Sequence, residues 1–126
     1  MKKDPNEHYQ SLLKLLLPSE IFEYFEIIQV ISDDKEVHVH LDERDVKPEN
    51  YSGEKLISKG FHPSAMIQDY PLRDKAVFLH VRRRRWQIES TSEVISRDWQ
   101  TVAEGTRYTK GFADFLKGIF GQLPHQ

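Results

Sequence analysis

The sequence predicts an α+β fold in which two antiparallel β-hairpins form a small sheet, flanked by an N-terminal and a C-terminal α-helix. Two pairs of segments, within residues 25–41 and 76–102, are rich in β-branched and aromatic residues, and a short polar loop joins each pair. Apolar residues at helical spacing lie before the first pair and after the second. The 126 residues, 38% hydrophobic and 30% charged, are expected to form a single domain around one core.

Residues 1–24 are expected to form an N-terminal helical segment. Asp4 is a suitable N-cap and Pro5 suits the first helical position, so the sequence predicts a helix from there to about Leu16. Pro18 interrupts this helix, because proline cannot donate the next backbone hydrogen bond. Residues 19–24 are then expected to add one more helical turn before the first strand.

Residues 25–104 are expected to form a β-rich core. Its first antiparallel hairpin pairs residues 25–31 with 36–41 across a polar turn. Residues 42–66 contain two prolines and two glycines among many polar positions. This stretch is therefore expected to be irregular, with one short strand at 55–59.

The second expected hairpin pairs residues 76–88 with 93–102. Residues 89–92, Glu-Ser-Thr-Ser, form its loop, with turn chemistry but no glycine. If these four residues are the whole loop, residue 88 faces residue 93. This register would place Arg83 opposite Asp98.

Residues 105–123 are expected to form the C-terminal helix. Its apolar residues follow the i, i+3, i+4, i+7, i+8 spacing of one helix face: Phe112, Phe115, Leu116, Ile119 and Phe120. Thr109 is a suitable N-cap, and Gly121 with Pro124 supplies a stop signal.

Composition restricts the possible functions. The absence of cysteine excludes disulfides and thiolate zinc sites. The longest dense apolar stretch, residues 12–17, is too short to cross a bilayer, so a cytoplasmic protein with no membrane role is expected. Residues 1–58 contain 7 Lys/Arg and 13 Asp/Glu, a net charge of −6, whereas residues 59–126 contain 11 and 7, a net charge of +4. This asymmetry favours a nucleic-acid surface in the second half.

Four consecutive arginines, Arg82–Arg85, follow the apolar run at 76–81 and precede Trp86. On an extended strand Arg82 and Arg84 share one face, and Arg83 and Arg85 share the other. Desolvating four guanidiniums without matching acids is costly, so the strand is expected to leave the core and carry them into solvent. Arginine binds phosphate in bidentate fashion and Trp86 can stack on a base, which favours nucleic acid.

An ordinary structural role for the same run is an alternative. In that interpretation the segment is a solvated strand end whose arginines pair with acids that follow it in sequence. Those acids are Glu89, Glu93, Asp98 and Glu104. Such exposed pairs would contribute little stability and imply no ligand.

Two other possibilities receive less support from the sequence. His38, His40 and Asp42 lie on one face of the second strand, a geometry that could hold a metal, but they alternate with apolar residues and fit the polar face of a half-buried strand. Neither a cysteine nucleophile, a glycine-rich phosphate loop nor a serine flanked by glycines is present. The chain is therefore expected to be no enzyme and to need no cofactor or metal.

One stretch of the sequence resembles a known family. Asp69-Tyr70-Pro71, the turn after it, Val77-Phe78-Leu79 and the arginine run resemble the "D-x-P-hydrophobic, short turn, V-x-L, R-R" passage of bacterial insertion-sequence transposases of the ISL-three type, in their N-terminal region. Arg107-Tyr108-Thr109 resembles the basic "R-x-T" entry to a helix in that family. The resemblance covers roughly residues 16–123.

The resemblance implies a DNA-binding head that recognises transposon ends, with the acidic catalytic triad in a separate domain. In that family the head is built on a four-cysteine zinc finger. Here Lys47-Pro48-Glu49-Asn50 and Trp86 stand where cysteine pairs would be expected, so the resemblance implies a degenerate, metal-free branch encoded as a short separate protein. Packing is expected to replace the metal, through the aromatic residues Phe61, Tyr70, Trp86 and Trp99.

The sequence therefore predicts a non-enzymatic DNA-binding protein related to a transposase N-terminal region. Arg82–Arg85 and Trp86 are its expected contacts, extended by Arg97, Arg107 and Lys110 and by the N-terminus of the last helix. The expected partners are DNA, at transposon ends, and a separately encoded catalytic transposase. The alternative is a protein-interaction module that binds the transposase or another protein without binding DNA.

Overall fold

The computed structural model describes residues 5–105 and 109–121 of the chain. The fold is α+β, as the sequence predicts. The helices in this part of the chain are α1 (Pro5–Leu16), α2 (Ile21–Tyr24), α3 (Trp99–Gly105) and α4 (Lys110–Phe120). The strands are β1 (Phe25–Ser32), β2 (Glu36–Glu43), β3 (Leu56–Phe61), β4 (Ala65–Leu72), β5 (Lys75–Arg82), β6 (Arg84–Ile88) and β7 (Val94–Ser96).

The strands form two sheets instead of the single small sheet expected. The first sheet has the order β1-β2-β5-β4, and the second has the order β3-β6-β7. Strands β1 and β2 form the expected antiparallel hairpin, but β2 and β5 pair in parallel, with Val37 opposite Val77 and Asp42 opposite Arg82. The parallel pairing brings residues 40 positions apart into direct contact.

The second predicted hairpin is correct in register but too long. Trp86 pairs with Ile95 and Gln87 with Val94, as the loop at 89–92 requires. The hairpin contains only β6 and β7, because the chain leaves the first sheet at Arg83 and enters the second at Arg84. Residues 99–102 belong to α3 and not to a strand, because the Asp98 carboxylate accepts the backbone N–H groups of the first turn of that helix.

The segment expected to be irregular contains more structure than predicted. The short strand expected at 55–59 is confirmed as β3, but β4 is absent from the prediction. Strand β4 contains Pro71 and lies at the edge of its sheet, where a missing backbone donor is tolerated. It forms a hairpin with β5 across Arg73 and Asp74, and the positive φ of Arg73 (58°) belongs to that turn.

Both predicted terminal helices are present. Helix α1 ends at Leu16 as expected, whereas the proposed N-cap, Asp4, lies outside the described residues. In α4, the Thr109 hydroxyl accepts the backbone N–H of Phe112 at 3.2 Å, and Gly121 ends the helix in the left-handed conformation. None of the described helices is long and apolar enough to cross a membrane.

The main core lies between the four helices and one face of the first sheet. Val39, Leu41, Val77, Leu79 and Val81 alternate along β2 and β5 and are buried against the helices. Helix α4 approaches β4 closely at Gly118, where a Cβ atom would lie 2.7 Å from Cγ2 of Ile67. A second, smaller cluster in the second sheet contains Trp86, Ile88 and Ile95.

Candidate nucleic-acid interface

The arginine run lies where the chain passes from one sheet to the other. Arg82 ends β5 and Arg84 begins β6, with Arg83 between them. Arg82 and Arg84 both lie over the ring of Phe61, with their guanidinium carbons 4.2 and 4.7 Å from its centroid. The alternation predicted from the sequence is therefore present. Arg82 and Arg84 lie on the side of the strand that faces Phe61, and Arg83 and Arg85 do not share that side.

Arg82 forms a bidentate ion pair within the protein. Its Nε and Nη2 atoms donate to the two carboxylate oxygens of Asp42 at 2.7 and 2.6 Å. Asp42 is buried, and the parallel pairing of β2 with β5 places the two residues directly opposite each other. A guanidinium held by both oxygens of a carboxylate is satisfied in its preferred geometry.

Arg84 is bound to the same segment of β2. Its backbone N–H donates to Oε1 of Glu43 at 3.0 Å, and its Nε donates to the Glu43 carbonyl at 3.0 Å. Its Nη1 donates to the Ser58 hydroxyl at 2.5 Å. The expectation that the arginines have no matching acid is therefore wrong for Arg82, which the parallel strand pair places beside Asp42. The Arg84 guanidinium is held by a carbonyl and a hydroxyl instead of a carboxylate.

Within the described part of the chain, the acids named in the alternative interpretation do not pair with the arginine run. In that part of the chain, the salt bridge formed by the arginine run joins Arg82 to Asp42. Glu89 pairs instead with Lys55 at 3.3 Å. Asp98 is engaged by the first turn of α3. The acidic partners precede the arginines in the chain instead of following them.

Arg97 lies in the interior and not on a DNA-accessible surface. Its Nε donates to Oε2 of Glu43 at 2.8 Å, and its Nη2 donates to the Val46 carbonyl at 2.5 Å. The Arg97 side chain is only 9% exposed and Glu43 is fully buried. Burial raises the pKa of Glu43, and the hydrogen bonds from Arg97 and Arg84 oppose that shift. The expectation that Arg97 extends a DNA-binding patch is wrong, because Glu43 holds it inside.

Trp86 is also buried, and its ring is inaccessible to a base. It is 1% exposed, and its indole Nε1 donates to Oδ1 of Asp45 at 2.8 Å. Trp86 is buried in the core of the second sheet and Trp99 in the main core, so both pack inside as expected, but in separate clusters and not at one site. Tyr70 does not share that role, because 71% of it is exposed.

Arg83 and Arg85 differ from the other two arginines of the run. Arg85 is exposed, and its Nη2 donates to the Lys59 carbonyl at 3.3 Å, whereas Arg83 lies over the Phe120 ring at 5.2 Å. Among the side chains that the structure describes, those of residues 10–104 and 109–121, neither guanidinium has a carboxylate oxygen within 4.0 Å. Both cations can therefore bind an external anion without first breaking an ion pair in that part of the chain.

Lys59 completes what we call the cationic surface, consisting of Lys59, Arg83 and Arg85, and His62 lies beside it. The His62 backbone N–H donates to the Arg83 carbonyl at 2.8 Å, and its Nε2 is hydrogen bonded to the Ser96 hydroxyl at 2.7 Å. Burial lowers the pKa of His62, and the charges of Arg83 and Arg85 lower it further. The sequence does not predict the position of Lys59 and His62. An irregularity in the pairing after Ser58 brings residues 59–62 beside β6, and apart from Gly60 the sequence has no signal for it.

The remaining expected contacts do not join this surface. Lys110 is exposed at the first turn of α4, whereas Arg83 lies over Phe120 at the other end of that helix, about 15 Å away at 1.5 Å per residue. The N-terminus of α4 already has an anion, because Glu20 accepts the Thr109 backbone N–H at 2.8 Å. Arg107 lies outside the described residues.

The histidines of β2 belong to a stack of rings on the other face of the first sheet. His38 is hydrogen bonded to His80, with 2.8 Å between Nδ1 and Nε2, and His80 stacks on His40 with centroids 4.5 Å apart. Asp42, the third residue of the set, is paired with Arg82. Among the described residues, no group of three or more His, Cys, Asp or Glu side chains has a geometry that could hold a metal ion.

Comparison with known proteins identifies no relative. No protein-family model, curated protein or solved structure matches the chain.

Proposed function

We propose that the chain is a non-enzymatic, cytoplasmic DNA-binding protein related to the N-terminal region of insertion-sequence transposases. It recognises transposon ends and works beside a separately encoded catalytic transposase. The observation that carries the proposal is that Arg83 and Arg85, adjacent to Lys59 and His62, have no carboxylate partner within the described part of the chain. Guanidiniums without a carboxylate partner favour the bidentate phosphate contacts that are typical of DNA-backbone binding.

The internal hydrogen bonds of the run indicate which arginines would bind DNA. Arg82 is paired with the Asp42 carboxylate, and the Arg84 guanidinium is held by the Glu43 carbonyl and the Ser58 hydroxyl, so both are already engaged inside the protein. Arg83 and Arg85 are the proposed phosphate contacts. The proposed binding is largely independent of base sequence at these positions, because phosphate contacts set orientation and affinity without reading base edges.

The test compares two double variants with equal loss of charge. Arg83→Ala/Arg85→Ala should weaken binding to duplex DNA and flatten the plot of log affinity against log salt by about 1.8, the value for two lost phosphate contacts. Lys14→Ala/Lys35→Ala removes two exposed charges elsewhere and should leave the slope nearly unchanged. Fluorescence anisotropy across a salt series, on duplexes of unrelated sequence, measures both, and circular dichroism checks the folding of each variant.

Two results would contradict the proposal. One is that the wild-type protein has no measurable affinity for duplex DNA even at low salt. The other is that folded Arg83→Ala/Arg85→Ala keeps the wild-type slope. Magnesium-dependent nicking of supercoiled plasmid by highly purified protein would contradict the non-enzymatic part alone.

A further inference from the structure

An apolar groove lies between α1, β4 and the first half of α4, away from the cationic surface. Its volume is about 720 Å³. The apolar residues that line it include Leu16, Leu17, Ile67, Tyr70, Pro71 and Phe115. Leu17 and Phe115 are buried in the floor, whereas Leu16 and Tyr70 are 50% and 71% exposed.

The apolar surface continues from the groove along α1. This helix contains leucine at 12, 13, 15 and 16, and Leu17 follows it directly. Leu13 and Leu17, one turn apart, face the core. Leu12 and Leu15 are 53% and 82% exposed, and with Leu16 they form a second apolar row on the outside of the helix. A contiguous exposed apolar patch of this kind marks an interaction site in a soluble protein.

Two carboxylates determine the charge that suits this groove. Asp69 on β4 and Asp114 on α4 both line it. Among the described residues, neither has a Lys, Arg or His nitrogen within 4.0 Å. An occupant that places a lysine or arginine beside its apolar side chains would therefore be complementary in both respects.

We propose that this groove binds an amphipathic α-helix of a partner protein, with apolar residues at i, i+3, i+4 and i+7 and basic residues at the flanks. The groove offers the apolar floor that helix-in-groove recognition uses, and the exposed leucines of α1 extend the apolar surface beside it. The two carboxylates in its lining suit flanking cations. This inference concerns a surface separate from the proposed DNA contacts, and neither depends on the other.

The probe is a synthetic peptide of about 16 residues, four to five helical turns, made of leucine and lysine with leucine at the spacing above. One control peptide has the same composition in an order that gives no apolar face, and another replaces lysine with glutamate. Fluorescence anisotropy at physiological salt measures binding to the full chain. The amphipathic basic peptide should bind at least about tenfold more tightly than either control.

Variants of the chain locate the binding site. Leu16→Gln/Tyr70→Gln changes two largely exposed residues, so the fold should be kept while affinity falls by roughly tenfold. Asp69→Asn/Asp114→Asn should weaken binding several-fold. Its matched control, Asp34→Asn/Asp74→Asn, removes two exposed carboxylates outside the groove and should leave affinity unchanged. All of these variants should bind DNA as the wild type does.

Four results would overturn the proposal. Equal binding of the amphipathic peptide and its reordered control would show nonspecific attraction, and equal weakening by the two pairs of carboxylate variants would show that only net charge matters. A wild-type dimer by light scattering that Leu16→Gln/Tyr70→Gln converts to a monomer would show that a second copy covers the groove instead of a partner helix. Absence of peptide binding at any accessible concentration would also count against it.

Discussion

Arg97→Met should destabilise the protein far more than the same substitution at the exposed Arg85. Arg97 provides the hydrogen-bond donor to Oε2 of Glu43, while Oε1 keeps the backbone N–H of Arg84. Removing one partner of a buried ion pair leaves an uncompensated charge and typically costs about 3–5 kcal/mol. Methionine fills much of the same space, so most of the loss would come from the orphaned carboxylate and little from a cavity.

A second substitution separates the charge from the packing. Glu43→Gln/Arg97→Met removes the buried charge as well, and the glutamine oxygen can still accept the Arg84 N–H. The double variant should lose only about 1–3 kcal/mol, the cost of a buried amide with an unsatisfied donor, and should therefore be more stable than Arg97→Met alone. Arg85→Met, at an exposed position, should stay within about 0.5 kcal/mol of the wild type.

The pKa of Glu43 gives this prediction a pH dependence of known sign. Burial raises that pKa in the folded protein, and loss of Arg97 removes a contact that opposes the rise. The folded Arg97→Met variant therefore takes up a proton more readily than its unfolded chain, so its deficit should shrink as pH falls toward and below the folded-state pKa. Urea unfolding followed by circular dichroism at pH 8 and at about pH 5 measures the effect.

Either of two results would refute this reasoning. If Arg97→Met costs less than about 1 kcal/mol, loss of Arg97 does not leave an uncompensated buried charge at Glu43. If the double variant is less stable than Arg97→Met, a buried amide at position 43 costs more than the carboxylate, and the uncompensated charge is not the main source of the loss.

Three further predictions test the fold around the site. Thr109→Ala should cost about 1 kcal/mol by thermal unfolding because it removes the N-cap of α4, whereas Thr109→Ser should be close to wild type. Gly118→Ala should lower stability despite alanine's better helix propensity, since the new methyl would lie 2.7 Å from Ile67, and adding Ile67→Ala should recover part of the loss; an unchanged stability would contradict the close contact. Burial and the neighbouring histidines lower the pKa of His80 in the folded protein, so the unfolded chain binds more protons and stability should fall as pH drops below about 6.5. The urea midpoint should fall between pH 7.5 and pH 5.5, and it should fall less for His80→Gln than for the wild type.

Several elements are predictable from the sequence because local signals determine them. The proline start and leucine spacing of α1, the threonine cap and glycine stop of α4, and the polar turn between β1 and β2 each act over a few residues. The four-residue loop at 89–92 likewise determines the register of β6 against β7. Strand β4 could not be predicted by the same reasoning, because Pro71 argues against a strand unless the strand is known to lie at an edge.

The candidate site is only half predictable, because it depends on a non-local parallel pairing. The segments at 37–42 and 77–82 alternate in the same way, and each ends in a charged residue, Asp42 or Arg82. Only a parallel alignment of the two strands places these opposite charges side by side. The two separate hairpins expected from the sequence keep them apart, and that arrangement would leave the arginines without internal partners.

This pairing changes what the arginine run can contribute to binding. If all four guanidiniums were free, neutralising about four phosphates would contribute roughly −3.6 to the salt slope. Asp42 holds Arg82 in a bidentate pair, and Arg84 is hydrogen bonded to Glu43 and Ser58, so Arg83 and Arg85 remain, with a contribution of about −1.8. Replacing all four arginines would remove the phosphate contacts together with the internal bonds of Arg82 and Arg84, so loss of DNA binding in that variant could not be assigned to either cause.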